Sequence, residues 1–381
     1  MKKIIIIILS IIFSLNGVFG QTLPPKQPYP LGVRQIHSGH SLTDPLFGQP
    51  WPGQYVNLIT ELRGTWALDD IGKSTIPGSP MFWRWDNELN HPSTQAPFSA
   101  RHNIDQWELL VITEGIPIPN DGGNPLLITP AKKYLSLYVN NAANNGNNGN
   151  GAATLLWTTW TNLDGSEGPW RQTLDTYELY WEEMQDYANA NRPIGATPVY
   201  LIPGHRVMAR IYDDIQLNLV PGITNINQFF SDNIHTNSLG DYAIAMIHYA
   251  CIFNQSPVGL PNDLMPNPPS GFQTPSPALA TYLQNIVWEV VTTYSRTGIT
   301  ENTSKADENN IAKSIEVYPN PTSELIYITP IDKTKQIDKI LYNSIGQIVY
   351  RGRENIINSS HFPNGIYFLR AENQIFKIVK N

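Results

Sequence analysis

The chain of 381 residues contains a single cysteine, Cys251. One thiol cannot form an internal disulfide, which excludes a disulfide-stapled scaffold and any zinc or iron–sulfur site built on cysteine ligands. Cys251 lies in the apolar run 243–253, which predicts a buried structural thiol rather than a nucleophile. No set of His, Asp and Glu residues has the spacing of metal ligands, and no Gly-rich phosphate loop follows an apolar run, so no cofactor is expected.

Charged residues are also scarce, at 15% of the chain against about 25% in an average globular protein. The net charge is −7 and no basic run occurs, which argues against nucleic acid as a partner. The hydrophobic share of 41% and the ten tryptophans still suffice for a sizeable core, so a disordered chain is excluded.

Long apolar runs are absent with one exception, residues 4–15, which follow Met1-Lys2-Lys3. A positive start, a short apolar run and small residues near position 20 are typical of a secretory signal peptide, here residues 1–20, cut before Gln21. The run is shorter than the ~20 residues of a membrane-spanning helix, which favours cleavage over anchoring. We therefore expect an exported protein with no transmembrane segment after signal cleavage.

A polar, aperiodic stretch at residues 299–313 predicts a linker between two domains, residues 21–298 and residues 314–381. Every tryptophan precedes this linker. Residues 21–313 carry a net charge of −11, whereas residues 314–381 carry +2. The two parts therefore differ in character, and we expect few contacts to cross the boundary.

Apolar strand-like runs alternate with helix-like segments through the larger domain. Strands are predicted at residues 32–37, 107–113, 154–160 and 198–202, and helices at residues 55–63, 131–139, 174–189, 240–253 and 277–294. This alternation favours an α/β fold in which helices cover both faces of a parallel sheet. Residues 140–151, nearly all Asn, Gly and Ala, are expected to form a flexible surface loop.

Two short motifs carry the chemistry. The first predicted strand runs into the turn Gly39-His40-Ser41, where the Ser41 hydroxyl would be exposed beside backbone N–H groups. Asp232 precedes His235 by three residues, just before a helix, so its carboxylate can orient an imidazole that removes a serine proton. Taken alone, Ser41 would more simply be a helix N-cap. Taken alone, Asp232 and His235 would more simply be polar residues of a surface loop. Their joint placement in one α/β domain predicts a nucleophile with its base.

These motifs resemble those of the SGNH, or GDSL-like, hydrolases over residues 30–295. The family block Gly-Asp-Ser-Leu-Thr is matched by residues 39–43, with His40 in place of the usual Asp, and Asp-x-x-His is matched by residues 232–235. The resemblance implies a flavodoxin-like parallel sheet sandwiched by helices. It also implies that Ser41 is the nucleophile, His235 the general acid–base and Asp232 its orienter.

The same resemblance implies an oxyanion hole formed by the N–H groups of Ser41 and of a second-block glycine. Gly78 is the best placed, and Gly72 competes. The third block, Gly-x-Asn-Asp, is not matched, because Thr113 or Glu114 stands where the family has its asparagine. A carboxylate would repel an oxyanion, so Glu114 is expected to bind substrate hydroxyls or to orient the catalytic histidine.

Four residues are candidate substrate contacts: His40, Thr113, Glu114 and His205. His40 beside the nucleophile would either contact substrate or make local hydrogen bonds in its turn. His205 follows the predicted strand 198–202, at a carboxyl end that can line the cleft.

Residues 314–381 alternate apolar and polar residues with a period of two, which predicts a small antiparallel β-sandwich. The segments at 318–322 (Tyr-Pro-Asn-Pro-Thr), 343–347 and 377–380 closely resemble the type A sorting domain of the type IX secretion system. The resemblance implies interaction with that secretion machinery, export via the periplasm, and a final location that is secreted or at the cell surface. The alternative, a carbohydrate-binding sandwich, is weakened by the absence of Trp from this part.

The sequence thus favours a secreted serine hydrolase that cleaves carboxylic esters through an acyl-enzyme on Ser41. An O-acetylated polysaccharide is the favoured substrate, first because the protein is exported by this route and second because its larger domain is rich in Trp. The alternative is a non-catalytic surface glycan-binding protein on a degenerate hydrolase fold, which the unmatched third block keeps open.

Overall fold

The computed structural model describes residues 23–43, 56, 58–60, 71–88, 99–121, 127–265, 270–301, 315–330, 339–343, 348–371 and 374–381. The predicted signal peptide, most of the predicted linker and part of the predicted helix at 55–63 lie outside the described residues.

The larger domain is built on one parallel sheet. Its strands are β1 (Gln35–Gly39), β2 (Ile71–Thr75), β3 (Leu109–Ile112), β4 (Ala153–Thr158) and β5 (Tyr200–Pro203). They lie in the order β2-β1-β3-β4-β5, and each neighbouring pair is parallel. This is the flavodoxin-like order that was predicted. The chain changes direction across the sheet between β1 and β3, so a crevice is expected outside the carboxyl ends of these two strands.

Helices cover both faces of the sheet. They are α1 (Met81–Asn87), α2 (Thr129–Asn145), α3 (Trp170–Asn191), α4 (Gly204–Gln216), α5 (Ser238–Phe253) and α6 (Pro277–Thr293). Successive side chains of a strand point to opposite faces, and β3 accordingly supplies Leu109 and Val111 to one apolar cluster and Leu110 and Ile112 to the other. α5 is buried along its whole length. Within the described residues, no helix is long and apolar enough to cross a membrane.

The expectation of a flexible loop at residues 140–151 is wrong, because α2 continues to Asn145. Its buried face includes Leu135, Tyr138, Val139 and Ala142, which follow the i, i+3, i+4, i+7 spacing of a helix. Burial of this stripe outweighs the weak helix propensity of the asparagines on the outer face.

The tryptophans contribute mainly to the core. Trp157, Trp160 and Trp181 are at most 1% exposed, and Trp157 and Trp160 meet edge to face with ring centroids 6.3 Å apart. Cys251 is buried in the same core, as predicted. Among the described residues, these buried tryptophans are therefore explained by packing and are not evidence of a sugar-binding surface.

The C-terminal part forms two antiparallel sheets. Its strands are β6 (Ile315–Tyr318), β7 (Leu325–Pro330), β8 (Lys339–Asn343), β9 (Ile348–Gly352), β10 (Ile356–Asn358), β11 (Gly365–Ala371) and β12 (Gln374–Lys380). One sheet has the order β10-β7-β6 and the other β12-β11-β8-β9. Ile326 and Ile328 of the first sheet share an apolar cluster with Leu341, Leu369 and Ile378 of the second. The alternation of apolar and polar residues thus produces the predicted antiparallel sandwich.

Candidate active site

The candidate nucleophile lies directly after β1. A Cβ on Gly39 would come within 1.9 Å of the Thr43 Oγ1 and 2.7 Å of its Cβ, so the tight turn requires glycine at this position. The Thr43 N–H donates to the His40 carbonyl oxygen at 2.9 Å and closes the turn. Ser41 is thereby placed at the carboxyl edge of the sheet, beside the β1–β3 crevice.

Ser41, His235 and Asp232 form a chain of hydrogen bonds. The Ser41 Oγ lies 2.8 Å from His235 Nε2, and His235 Nδ1 lies 2.7 Å from Asp232 Oδ2. The other carboxylate oxygen, Asp232 Oδ1, accepts the N–H groups of Ile234 at 2.8 Å and of His235 at 2.7 Å. In this arrangement the imidazole can accept the serine proton while the carboxylate fixes the orientation of the ring.

The environment of Asp232 favours its charged form. Partial burial raises its pKa, but the N–H groups of His235 and Ile234 and the His235 ring outweigh this and hold the pKa below its ordinary value. The carboxylate is therefore negative at neutral pH and can stabilise the imidazolium that forms when His235 takes up a proton.

The loop that carries the Asp–His pair is held from two sides. Trp160 Nε1 donates to the Ile234 carbonyl oxygen, and the Leu163 N–H donates to the Asn233 carbonyl oxygen, both at 2.7 Å. On the other side, Asn237 caps α5, where its Oδ1 accepts the N–H groups of residues 239 and 240 at 3.0 and 3.3 Å. The loop after β4 and the start of α5 therefore fix the base against the nucleophile.

Gly78 lies in the turn after β2. The Ser79 N–H donates to the Ile76 carbonyl oxygen at 3.2 Å, and Gly78 follows Pro77 with φ of 67°, which are the features of a type II turn. The Ile76 N–H donates to the Gly39 carbonyl oxygen at 3.1 Å and attaches this turn to the nucleophile's turn.

Two backbone donors are available at this edge. Among the described residues, the N–H groups of Ser41 and Gly78 have no hydrogen-bond acceptor. Gly72, the competing glycine, lies inside β2 opposite Ile36, away from the carboxyl end of the strand. Its position excludes it as an oxyanion donor and leaves Gly78 as the candidate.

Glu114 is fully buried and holds this region together. Its Oε1 accepts the N–H groups of Met81, at the start of α1, and of Gly115, at 2.6 and 2.7 Å. Both ring nitrogens of His235 are already occupied by Asp232 and Ser41, so Glu114 does not orient that ring directly. At 0% exposure it does not meet substrate hydroxyls either. Neither predicted role of Glu114 agrees with this structure.

Arg84 of α1 is a residue that the sequence analysis missed. It is fully buried, and its guanidinium donates to the Ser79 carbonyl oxygen at 2.6 Å and to the Thr113 carbonyl oxygen. Thr113 is itself fully buried, so it is not a substrate contact. Arg84 thus ties the end of the Gly78 turn to the end of β3. A lone arginine in a short helix gives no sequence signal that it will connect these two segments.

His40 makes local hydrogen bonds. The Leu42 N–H donates to its Nδ1 at 3.4 Å, which leaves the ring proton on Nε2 to donate to the Glu114 carbonyl oxygen at 3.0 Å. Burial, together with the nearby Arg84 guanidinium, lowers the pKa of His40 to about 3, so the ring is neutral. His40 is 4% exposed and joins the β1 turn to the end of β3 rather than contacting substrate.

His205 does not line the cleft. It lies in the first turn of α4 at 1% exposure, where its Nδ1 is 2.6 Å from Thr158 Oγ1 and its Nε2 is 3.2 Å from Glu178 Oε2. Burial lowers its pKa despite the Glu178 carboxylate. The helix begins directly after β5 and turns the ring inward, toward β4, which the local sequence did not indicate.

The sheet order and the helices on both faces define a flavodoxin-like α/β domain, which is followed by a sorting domain. Residues 316–381 match the family described as secretion system C-terminal sorting domain. This match confirms the predicted type IX sorting domain, and the protein is secreted or displayed at the cell surface. A comparison with curated proteins finds no match.

Solved structures with a similar fold include proteins from two bacteria. A DUF4886 family protein from Bacteroides uniformis is similar over 71% of this chain and 98% of its own, with 11% identity and a TM-score of 0.42. A variant of an acetyl xylan esterase from Geobacillus stearothermophilus is similar over 60% of this chain and 94% of its own, with 14% identity and a TM-score of 0.35. A catalytic mutant of that esterase covers 58% and 93%, with 13% identity and a TM-score of 0.35.

Proposed function

We propose that the larger domain is a serine ester hydrolase that removes acyl groups, chiefly acetyl groups, from polysaccharides outside the cell. The observation that supports this proposal is the hydrogen-bonded chain Ser41–His235–Asp232 at the carboxyl edge of the sheet. A serine, an imidazole and a carboxylate in this order are the parts needed for acyl transfer.

In the acylation step, the Ser41 Oγ bonds to the ester carbonyl carbon while His235 Nε2 accepts the serine proton. The carbonyl electron pair moves onto its oxygen, and the N–H groups of Ser41 and Gly78 are the donors proposed to stabilise this oxyanion. When the electron pair returns, the bond to the sugar oxygen breaks. The sugar oxygen takes the proton from His235, and the acyl group remains on Ser41.

In the deacylation step, water replaces the sugar. His235 accepts a proton from the water as its oxygen bonds to the acyl carbon, and the same two N–H groups hold the second oxyanion. The bond to Ser41 Oγ then breaks, the proton returns to this oxygen, and the carboxylic acid leaves. Asp232 stabilises the imidazolium in both steps.

The preference for polysaccharide esters rests on location. The sorting domain delivers the enzyme to the cell surface or the medium, where acylated polymers are accessible and small cytoplasmic esters are not. The second argument of the sequence analysis, the richness in Trp, no longer supports this preference because the most buried tryptophans fill the core.

The test is hydrolysis of 4-nitrophenyl acetate by the purified mature protein, together with labelling by a fluorophosphonate. We expect Ser41→Ala to abolish both while the far-UV circular dichroism stays unchanged. The matched control is Ser256→Ala, since Ser256 is a loop serine whose Oγ accepts the Val258 N–H at 3.2 Å. Wild-type activity or labelling in the Ser41→Ala variant would refute the proposed nucleophile.

A second candidate function is a non-catalytic surface protein that binds glycans. The observation that favours it is the third block, where neither Thr113 nor Glu114 provides a side-chain amide to the site. A wild-type protein that neither hydrolyses 4-nitrophenyl acetate nor reacts with a fluorophosphonate, yet sediments with acetylated xylan, would establish this alternative.

A further inference from the structure

A cavity of about 510 Å³ lies between the loop that follows β3 and the start of α3. We call it the Tyr180 cavity. Its lining combines rings, polar side chains and one carboxylate, and includes Ile118, Asn120, Glu167, Gln172, Tyr177 and Tyr180. The volume is within the range of about 300–1,000 Å³ that small-molecule sites occupy.

Both walls of the Tyr180 cavity are formed by loops that are linked through hydrogen bonds to the loops of the proposed triad. One wall begins just after Glu114, whose carbonyl oxygen accepts the His40 ring N–H beside Ser41. The other wall includes Glu167, four residues after Leu163, whose N–H donates to Asn233 between the catalytic Asp and His. Both loops leave the carboxyl ends of neighbouring parallel strands, β3 and β4, the sheet edge at which the proposed nucleophile lies.

The lining has an unsatisfied acceptor. Glu167 Oε2 accepts the hydroxyl of Tyr177, whereas Glu167 Oε1 is buried and has no partner within the part of the chain that the structure describes. A buried carboxylate oxygen normally has a donor. This oxygen is closed off from solvent, so a ligand hydroxyl reaches it only when the Glu167 side chain turns toward the cavity that it lines.

The lining also has an aromatic wall. The ring of Tyr180 packs against that of Tyr177 with centroids 5.7 Å apart and an angle of 63°, and Tyr180 remains partly exposed. A sugar ring has an apolar C–H face and a rim of hydroxyl donors. An aromatic ring beside an unpartnered carboxylate oxygen and two side-chain amides matches both features.

We propose that the Tyr180 cavity binds a sugar residue of the polysaccharide whose ester is cleaved at Ser41. This inference rests on the proposed function and names its substrate more closely. It assigns the glycan contact to Tyr180 and Glu167 rather than to the tryptophans.

The first test compares Tyr180→Ala with Tyr187→Ala in the full-length protein. Tyr187 lies on the same helix outside the cavity and is 41% exposed, so it is a matched control. We measure kcat/KM on O-acetylated oligosaccharides of xylan and of glucomannan, and divide it by kcat/KM on 4-nitrophenyl acetate. Loss of one aromatic contact of about 1–1.5 kcal/mol should lower this ratio about ten-fold in Tyr180→Ala.

We expect Tyr180→Phe to keep the ratio, because it retains the ring, and Tyr187→Ala to leave it unchanged. The inference is overturned if Tyr180→Ala keeps the wild-type ratio on both oligosaccharides. It is also overturned if Tyr187→Ala lowers the ratio equally, since the effect would then belong to α3 as a whole.

A second test does not depend on catalysis. Calorimetric titration of the Ser41→Ala protein with the same oligosaccharides should show binding, and Tyr180→Ala in that background should weaken it about ten-fold. Binding that depends on Tyr180, found together with a wild-type protein that has no esterase activity, would support the cavity and refute the proposed function. Esterase activity without any oligosaccharide binding would refute the cavity and leave the proposed function standing.

Discussion

At the scale of single residues, the two oxygens of the Asp232 carboxylate have different partners. One accepts two backbone N–H groups and the other faces His235 Nδ1. In Asp232→Asn, the amide oxygen can keep the two backbone contacts, but the NH₂ group then faces Nδ1. This favours the tautomer with its proton on Nε2, which cannot accept a proton from Ser41. We expect kcat on 4-nitrophenyl acetate to fall by about 10³–10⁴-fold.

The matched comparisons set the scale for this loss. His235→Ala and Ser41→Ala should each lower kcat by about 10⁶-fold, because the two residues act as one unit. Asp164→Asn, on an exposed loop, should leave kcat unchanged. An Asp232→Asn variant that stays within two-fold of the wild-type kcat would contradict the role of Asp232 as the orienting residue.

Glu114 should make the stability of the fold depend on pH. Burial raises its pKa to about 7 from 4.5, although Arg84 and the N–H groups of Met81 and Gly115 oppose this. Between these two values the folded state holds a proton that the unfolded state has lost. Stability therefore falls as pH rises through this window, by up to about 3 kcal/mol from this one group.

Glu114→Gln tests this dependence, since an amide keeps an acceptor for both N–H groups and does not ionise. The free energy of unfolding in urea should decrease less between about pH 5 and pH 8 in this variant than in the wild type. Glu183→Gln, at a carboxylate that pairs with Lys132 on the outer face, should retain the wild-type slope. Equal slopes in Glu114→Gln and wild type would show that Glu114 does not carry this proton.

The difference between predicted and unpredicted residues follows from the range of their contacts. Asp232 orients His235 over three residues, and Gly39 turns the chain over two, so both are readable from local sequence. Glu114 and His205 also lie directly after strands, but their side chains are buried. Glu114 accepts an N–H group at the start of α1, and His205 lies in the first turn of α4. Their direction depends on packing between segments that are distant in sequence, and no local pattern encodes it.

At the scale of elements, the start of α5 links helix stability to the catalytic loop. Asn237 caps this helix, and its Nδ2 also donates to the Gln228 carbonyl oxygen at 2.8 Å. Asn237→Ala should destabilise the protein by about 1–2 kcal/mol through loss of the cap. Since His235 lies two residues earlier, we also expect kcat on 4-nitrophenyl acetate to fall several-fold.

Ser276 provides the matched control for this prediction. It caps α6 by accepting the Leu279 N–H at 3.2 Å, away from the catalytic loop. Ser276→Ala should lower the melting temperature to a similar extent without changing kcat. Asn237→Asp, which retains a capping oxygen, should recover most of the stability. If Asn237→Ala and Ser276→Ala have the same kcat, the cap does not position His235.

The alternation of strands and helices was predictable, whereas β2, α1 and the ends of several elements were not. Buried strands such as Leu109–Ile112 have unbroken apolar sequences, and the buried helix Ser238–Phe253 is apolar along most of its length. Their alternation favours a parallel sheet. The end of α2 was misplaced because the asparagines around Ala142 hide that residue, which extends the buried apolar stripe beyond Val139. Composition averages over the two faces of a helix, and only the 3.6-residue period separates them.

At the scale of the whole molecule, the two domains have separate cores. The apolar clusters around the parallel sheet extend to Ile299, and the cluster of the antiparallel sheets begins at Ile315. Every residue of the proposed triad precedes Ile299. Since a domain with its own core can fold alone, the larger domain should not need the sorting domain for its stability.

A chain that ends at Thr300 tests this independence. Purified, it should unfold cooperatively and hydrolyse 4-nitrophenyl acetate within about two-fold of the full-length rate, because no proposed catalytic residue is removed. In the native host, the same truncation should accumulate in the periplasm, since it lacks the residues 316–381 that match the sorting domain. The control is the full-length Ser41→Ala protein, which should be secreted although inactive. Loss of activity in the purified truncation would mean that the sorting domain completes the active site, and normal secretion of the truncated chain would refute the need for this domain in export.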